Sequence, residues 1–144
     1  MAESSGASIR SARPDEVRAI LALWRSAAST PSATDNADGL RTLLARDPGA
    51  LLVAELDGEL VGSVIVGWDG WRGSFYRLAV APERRRAGLA RKLIEAGEAR
   101  LRQLGATRVH VIVAADEEPA LRFWDAVGFA LQPDQLRLVR PTSE

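Results

Sequence analysis

The fold of this chain is decided by the stretch Val80-Ala-Pro-Glu-Arg-Arg-Arg-Ala-Gly-Leu-Ala-Arg-Lys-Leu93. An apolar strand is predicted over residues 76–80 and ends at Pro82, and an amphipathic helix is predicted to begin near Leu89. The backbone N–H groups at such a helix start have no partner within the helix, and the helix dipole attracts anions to them. Because arginines surround this turn, we expect it to bind a phosphate or a pyrophosphate.

The composition is typical of one globular domain. The chain has 144 residues, of which 47% are hydrophobic and 26% are charged, and this length is sufficient to bury a core. We expect residues 1–8 to form a disordered tail and residues 9–144 to form a single domain. No apolar run approaches the roughly 20 residues that span a bilayer, and the N-terminus lacks a signal-peptide pattern. A cytoplasmic protein without a membrane partner is therefore expected.

Residue counts disfavour several classes of function. The chain has no cysteine, which excludes disulfides, thiolate metal ligands and a cysteine nucleophile. We expect no metal. The formal net charge is zero, so the chain lacks the basic field that nucleic-acid binding favours, and we expect no nucleic-acid partner. The Gly-Lys-Ser/Thr sequence of phosphate-binding P-loops is also absent.

Hydrophobic periodicity predicts alternating strands and helices along the chain. Strands are expected at residues 9–12, 50–56, 59–66, 74–81 and 107–114, with final strands at residues 129–130 and 136–140. Helices are expected from Pro14, before Pro48, from residue 89 to near residue 105, and at residues 117–127. This order predicts an α/β (α+β) fold, in which about four helices flank a mixed, mostly antiparallel, twisted sheet of six to seven strands.

Two motifs resemble those of the GCN5-related N-acetyltransferase (GNAT) family. Residues 85–90, Arg-Arg-Ala-Gly-Leu-Ala, match the family's Gln/Arg-x-x-Gly-x-Gly/Ala signature, and residues 78–82 match the strand before it. Residues 120–129 resemble its second motif, usually Ala-x-x-Phe-Tyr-x-x-x-Gly-Phe. The resemblance covers residues 9–140, and the turn at residues 67–73 is similar to that of a small bacterial subgroup of the family.

The resemblance implies that the chain binds acetyl-CoA and passes the acetyl group by direct attack to a primary amine of a small molecule or a peptide N-terminus. The pyrophosphate would lie on the amides of residues 86–91, where Gly88 places no Cβ against the phosphates. The pantetheine arm would pair with residues 78–80, and an amide there would stabilise the thioester oxygen as it becomes negative. The implied cofactor-binding residues are Leu78, Ala79, Val80, Arg85, Arg86, Ala87, Gly88, Leu89, Ala90, Arg91, Phe123 and Trp124.

The second motif departs from the family pattern at Trp124, where the family has its usual general acid, a tyrosine. An indole N–H can donate a hydrogen bond, but it cannot act as an acid near neutral pH. Trp124 either lies beside the pantetheine and the thioester or packs as a core aromatic. A non-catalytic acetyl-CoA-binding sensor or partner-binding module is therefore the alternative to an enzyme. In the enzyme, catalysis would rest mainly on proximity, the oxyanion contact and water-assisted proton transfer.

Candidates for proton transfer must then lie elsewhere in the chain. The acceptor amine, with a pKa of about 10, has to lose a proton before it attacks. Tyr76 is a candidate acid on the cofactor strand, or only a strand aromatic. Asp69 is a candidate to deprotonate or attract the amine, with Trp68 and Trp71 lining the acceptor site by cation–π contact, or it is a turn aspartate. Glu117 is the third candidate, or it only favours a helix start through the dipole.

Other features are expected to be less direct. His110 lies on a strand and is followed by Val-Ile-Val, so we interpret it as a structural residue rather than a base. The polar loop at residues 29–38 is expected to border the acceptor site, because recognition tends to lie in loops. Many members of the family form dimers, so a homodimer is one state that the resemblance allows.

Overall fold

The computed structural model describes residues 6–27, 34–85 and 87–142. These residues fall into two compact units, one that ends at Ile112 and one that begins at Val113. The first unit contains a five-stranded sheet and three helices, and the second contains one helix and the segment that follows it. The mixed α/β architecture with four helices confirms the predicted fold class.

The five strands of the sheet lie side by side in the order in which they occur in the chain. The first four strands pair with one another in antiparallel fashion, and the fifth runs parallel to the fourth. The strands are β1 (Ser8–Ser11), β2 (Leu51–Leu56), β3 (Glu59–Trp68), β4 (Gly73–Val80) and β5 (Val109–Val111). The helices of this unit are α1 (Val17–Ser26), α2 (Ala37–Arg46) and α3 (Leu89–Leu104), with 3₁₀ turns at Pro14–Glu16 and Pro82–Arg84.

Local sequence signals account for several of these boundaries. Asp57 and Gly58 join β2 to β3 with positive φ angles of 53° and 81°, as a type I′ hairpin turn requires. Asn36 caps α2, since its side chain accepts a hydrogen bond from the Gly39 amide at 2.7 Å. Gly105 ends α3 with a φ of 102°, the left-handed conformation that glycine adopts most readily.

Both faces of the sheet are covered by helices. Helix α3 lies close to one face, because a Cβ on Gly62 of β3 would be 3.1 Å from Cδ1 of Leu93. On the other face, Trp24 of α1 donates a hydrogen bond from Nε1 to Oγ of Ser63 in β3 at 2.8 Å, and both side chains are buried. The strands are therefore held between the helices. Strand β4 contributes to this core through Phe75, which is almost fully buried.

The N-terminal strand begins earlier than expected. Residue Ser8 already belongs to β1, and Ala7 is buried, with its carbonyl accepting a hydrogen bond from Nζ of Lys92 at 2.9 Å. Part of the segment that we expected to be a tail is therefore held by α3. Residues 1–5 of that segment lie outside the described residues.

The prediction of six to seven strands was wrong for the part of the chain that is described, which forms five. In the second unit, residues 113–142 contain helix α4 (Glu118–Ala126) and no strand. The apolar alternation suggested a strand at residues 136–140, but Leu136 and Leu138 are 88% and 91% exposed. Alternation alone does not form a strand, because the backbone groups need a neighbouring strand for their hydrogen bonds.

Candidate active site

Strands β4 and β5 separate partway along the sheet. They pair only from Gly73 with Val109 to Phe75 with Val111. Strand β4 continues to Val80, so within the described part of the first unit its second half has no parallel neighbour. Backbone N–H and C=O groups on this edge of β4 are therefore available to a ligand that pairs as a strand does.

A bulge in β4 lies at the point where the two strands separate. The pairing with β3 changes from Ser63 opposite Ala79 to Ile65 opposite Tyr76, so that two residues of β4 oppose one of β3. The bulge contains Arg77, whose φ is 54°, a left-handed conformation that is uncommon outside glycine. A bulge bends its strand and disrupts the ladder locally, so β4 changes direction at the point where β5 separates from it.

The start of α3 follows directly from this strand. Its N-cap residue, Gly88, has a φ of 79° and no side chain caps the helix. The first helical hydrogen bond runs from the Lys92 amide to the Gly88 carbonyl at 3.1 Å, so the amides of the first turn have no acceptor within the helix. Among the described residues, a Cβ on Gly88 would meet no atom within 4 Å, so these residues leave the approach to the amides open.

Several arginines are close in sequence to the open helix start. The Nε atom of Arg84 is the one buried side-chain nitrogen or oxygen in the described residues that has no hydrogen-bond partner. Arg85 is exposed and donates to the Ala27 carbonyl at 3.1 Å, and Arg91 is exposed. Arg86 lies outside the described residues. An uncapped helix start that closely follows these arginines in the chain fits an anion with several oxygens, such as the pyrophosphate of CoA.

A depression of about 560 Å³ opens at the other end of β4. Three residues that the sequence singled out, Trp68, Asp69 and Tyr76, line it together. Trp71 is not among its lining residues, although it was expected there. Two polar residues of the lining, Ser74 and His110, were not predicted to belong to the site. They lie opposite each other in the β4–β5 ladder, a relation that only the sheet topology reveals.

Tyr76 reaches the depression because Gly67 leaves room for it. A Cβ on Gly67 would be 3.1 Å from Cε2 of Tyr76 and 2.7 Å from Oγ of Ser74. The tyrosine is half-exposed, with 49% of its surface accessible. Its ring therefore lies across β3 while part of the side chain stays open to solvent, as an acid in contact with a substrate requires.

Asp69 has a role in the turn between β3 and β4. Its Oδ1 accepts hydrogen bonds from the backbone amides of Arg72 at 2.7 Å and Trp71 at 2.8 Å. These two hydrogen bonds lower the pKa of Asp69, so the carboxylate stays ionised and is a weak base. The guanidinium carbon of Arg72 lies 4.1 Å from the centroid of the Trp71 ring, so the cation that this ring contacts belongs to the protein.

A second acidic side chain of the depression, Asp47, is paired. Its Oδ1 lies 2.5 Å from Nη2 of Arg100 in α3, and Nη1 of the same arginine donates to the Val66 carbonyl at 3.1 Å. The charge of Asp47 is therefore compensated within the protein. Asp69, by contrast, is held mainly by backbone amides, with a smaller electrostatic contribution from Arg72.

The second unit contains the remaining predicted site residues. Glu117 occupies the N-cap position of α4, is exposed, and makes no side-chain cap. Trp124 is buried and makes edge-to-face contacts with Phe123 and Phe129, at centroid distances of 5.2 Å and 5.0 Å. This arrangement is typical of aromatic residues in a core. The roles in catalysis and cofactor binding that we expected for these residues stay predictions.

The described residues contain neither a metal-binding cluster nor a membrane-spanning helix. No group of three or more histidine, cysteine, aspartate or glutamate side chains there is arranged to hold a metal ion. None of the described helices has the length and apolar character needed to cross a membrane.

The sequence is similar to that of known acetyltransferases. The model of the acetyltransferase (GNAT) family matches residues 17–129. A protein of Pectobacterium atrosepticum that is named an acetyltransferase is 35% identical over 121 residues, which cover 84% of this chain and 86% of that protein.

Solved structures share the fold at lower identity. The PaiA N-acetyltransferase of Thermoplasma acidophilum, solved in complex with coenzyme A, has a TM-score of 0.78 at 15% identity, covering 91% of this chain and 94% of that one. An aminoglycoside antibiotic 6′-N-acetyltransferase of Acinetobacter haemolyticus has a TM-score of 0.75 at 19% identity, covering 94% and 99%. At these identities the likeness shows the fold.

Proposed function

The chain belongs to the acetyltransferase (GNAT) family and transfers an acetyl group from acetyl-CoA to an amine; from this premise we propose that β4 and the start of α3 hold acetyl-CoA and that the depression at Tyr76 receives the acceptor. The observation that carries this proposal is the continuity of the two cofactor-binding features. The bulged, half-unpaired β4 leads within a few residues into the uncapped start of α3.

The residues at the start of α3 fit the pyrophosphate of CoA. The amides of residues 87–91 are available to phosphate oxygens, Gly88 places no side chain in their way, and the arginines supply positive charge. On β4, the backbone of residues 78–80 would pair with the pantetheine arm, and an amide there would stabilise negative charge on the oxygen of the acetyl group. When bound, acetyl-CoA supplies the thioester that the amine attacks. We retain Phe123 and Trp124 as proposed cofactor contacts.

The acceptor is proposed to be a primary amine on a small molecule or at a peptide N-terminus. The depression of about 560 Å³ falls in the size range of small-molecule sites and also admits the end of a peptide. The carboxylate of Asp69 attracts the positively charged amine, and Trp68 offers a ring to it. Tyr76 donates a proton to the departing thiolate, in place of the tyrosine that the second motif lacks.

His110, which the sequence pattern indicated to be a structural residue, lines the depression. His110 is exposed beside Ser74, and imidazole is the side chain that most often acts as a general base. We therefore propose His110 as the base, with a water molecule as the link where the amine does not reach it. Glu117 stays a candidate for the same role.

Acetyl-CoA binding is the first test of this proposal. At about 100 times its dissociation constant, acetyl-CoA should stabilise the folded protein by about 2.7 kcal/mol, which a thermal unfolding assay detects. The absence of any shift at saturating acetyl-CoA would overturn the cofactor site.

A thiol-release assay then identifies the acceptor. Small amines, aminoglycosides and peptides with free N-termini are each added to the protein with acetyl-CoA, and release of the CoA thiol is followed. Faster release with one class, with the acetylated amine found by mass spectrometry, names the acceptor. The proposed cytoplasmic location, the absence of a nucleic-acid partner and the homodimer await their own measurements.

A further inference from the structure

An ion pair joins the bulge of β4 to the segment that precedes α2. Arg77 donates from Nε to Oδ1 of Asp35 at 3.1 Å and from Nη2 to Oδ2 of the same residue. Such two-pronged contacts between a guanidinium and a carboxylate are the most specific ion pairs in proteins. The side chains of Arg77 and Asp35 are only 20% and 14% exposed, so solvent screens the pair weakly. It connects residues that are 42 positions apart in the chain.

The guanidinium is also supported from α1. The Arg77 guanidinium carbon lies 5.8 Å from the centroid of the Trp24 ring, within the range of a cation–π contact. The ring is itself fixed, because its Nε1 donates to the buried Oγ of Ser63 at 2.8 Å. Ser63 pairs with Ala79 on the far side of the bulge. The arginine side chain thus lies between a ring anchored to β3 and a carboxylate anchored before α2.

The backbone conformation of Arg77 indicates that its side-chain contacts are needed to form the bulge. Arg77 has a φ of 54°, a conformation that glycine, asparagine and aspartate adopt more readily. An arginine there makes the bulge harder to form unless its side-chain contacts compensate. Conformations of this kind persist only where the surroundings enforce them, and they are concentrated at functional sites.

The two ends of the ion pair lie beside the two parts of the proposed site. Arg77 follows Tyr76, which lines the acceptor depression, and precedes the strand residues proposed for the cofactor. Asp35 precedes the N-cap of α2, and α2 supplies Leu43 and Arg46 to the lining of the same depression. The pair therefore fixes one wall of the depression relative to the bulge.

We propose that Arg77 is a positioning residue, which acts through Asp35 to hold the β4 bulge and the start of α2 in the arrangement that turnover requires. This inference rests on the proposed function, since it takes β4 as the cofactor strand and the depression as the acceptor site. The start of α3, where the pyrophosphate would bind, contains neither Arg77 nor Asp35. Loss of the pair should therefore impair the acceptor and the chemical step more than the affinity for acetyl-CoA.

The experiment separates the side chain from the backbone conformation. Arg77→Gly removes the side chain and accepts the φ of 54° without strain, and Asp35→Asn keeps the shape of its side chain while it removes the charge. Arg77→Lys keeps the charge but loses the planar fork. Asp15→Asn is the matched control, because Asp15 makes a longer ion pair of 3.6 Å with Arg13 at the exposed surface.

For each variant, kcat and KM for the acceptor, the dissociation constant of acetyl-CoA and the thermal midpoint are measured. Arg77→Gly and Asp35→Asn should each lower kcat/KM for the acceptor by about tenfold or more, with the affinity for acetyl-CoA nearly unchanged. Arg77→Lys should recover part of the loss, and Asp15→Asn should match the parent. The double variant should be no worse than Arg77→Gly alone, because both changes break one contact.

Two results would overturn the inference. The first is that the variants fold with lowered thermal midpoints but keep the parental kcat and KM when they are assayed well below those midpoints. The ion pair would then only stabilise the fold. The other is an effect of the double variant equal to the product of the two single effects. If Arg77→Gly does not fold, Asp35→Asn and Arg77→Lys still decide between these outcomes. A parent protein that neither binds acetyl-CoA nor releases thiol instead refutes the proposed function, which is a separate failure.

Discussion

Gly97 of α3 lies against the ring of Phe75 in β4. A Cβ at position 97 would be 2.6 Å from Cε1 of Phe75 and 3.0 Å from Cγ2 of Val66. Phe75 is almost fully buried, so its ring has little room to move away. The missing side chain of Gly97 therefore sets how closely α3 approaches the strand that carries the proposed cofactor site.

Gly97→Ala is expected to lower the free energy of unfolding by about 1–3 kcal/mol, because the added methyl overpacks a rigid part of the core. Alanine is a better helix former than glycine by about 1 kcal/mol, so a gain in stability is the expectation from helix propensity alone. Urea unfolding decides between the two. Glu95→Ala, an exposed change in the same helix, is the control and should lie within about 0.5 kcal/mol of the parent. Equal stability of Gly97→Ala and the parent would contradict the packing argument.

The two glycines that flank α3 allow strain to be separated from ligand binding. Gly88 and Gly105 have φ angles of 79° and 102°, and a Cβ on either would meet no atom within 4 Å. Alanine at either position is expected to cost about 1–2 kcal/mol of stability from the left-handed conformation. Only Gly88→Ala also places a methyl group at the open helix start. It should weaken acetyl-CoA binding by about tenfold or more, since the phosphate would lose close contact with the backbone.

Isothermal titration with acetyl-CoA measures the effect, and Gly105→Ala serves as the control with matched backbone strain. If both variants lose affinity to the same extent, strain in α3 is the cause, and the assignment of the helix start as the pyrophosphate site fails.

The sequence predicts those parts of the fold that depend on neighbouring residues. The Asp57-Gly58 turn and the open start of α3 at Gly88 each follow from residues within one turn of the backbone. The family motif further predicts that the start of α3 binds CoA. These features are local, because each is determined by the conformational preferences and hydrogen bonds of residues that are adjacent in the sequence.

The remaining parts of the site depend on pairing between distant strands. The bulge at Arg77 exists because of the register between β3 and β4, and the approach of His110 to Ser74 exists because β5 runs beside β4. Asp35 meets Arg77 across 42 positions. None of these relations has a local pattern in the sequence. The strand wrongly predicted at residues 136–140 has the same origin, since alternation was present without a partner strand.

Tyr76→Phe is expected to lower turnover by about a hundredfold if the hydroxyl donates the proton to the leaving thiolate, because general acid catalysis contributes about this much or more. The affinity for acetyl-CoA should be unchanged, since the hydroxyl lies at the acceptor depression and not at the start of α3. Thiol-release kinetics and titration measure the two quantities. Thr107→Val, which removes an exposed hydroxyl before β5, is the control. Parental turnover in Tyr76→Phe would exclude Tyr76 as the acid.

Glu16, at the start of α1, is held by a network of cationic and amide donors. Its Oε1 accepts from Nη1 of Arg10 and from the Arg13 amide, both at 2.9 Å, and its Oε2 accepts from Nη2 of Arg10 at 2.7 Å. The hydrogen bonds from Arg10, followed by that from the Arg13 backbone, lower the pKa of Glu16 to about 2 from 4.5. The same contact with Glu16 raises the pKa of Arg10, so both partners stay charged at neutral pH.

Stability should therefore depend on pH through Glu16. Its pKa is lower in the folded state than in the unfolded state, so its contribution is complete above about pH 4.5 and is lost as the pH falls toward about 2. A shift of this size is equivalent to about 3 kcal/mol, which solvent contact of Arg10 reduces to about 2 kcal/mol. Glu16→Gln should be less stable than the parent by this amount at neutral pH, and the difference should narrow through the acid window. Urea unfolding at several pH values measures it, with Asp15→Asn, at an exposed neighbouring position, as the control. A difference that stays constant down to about pH 2 would show that the charge of Glu16 is not what stabilises the fold.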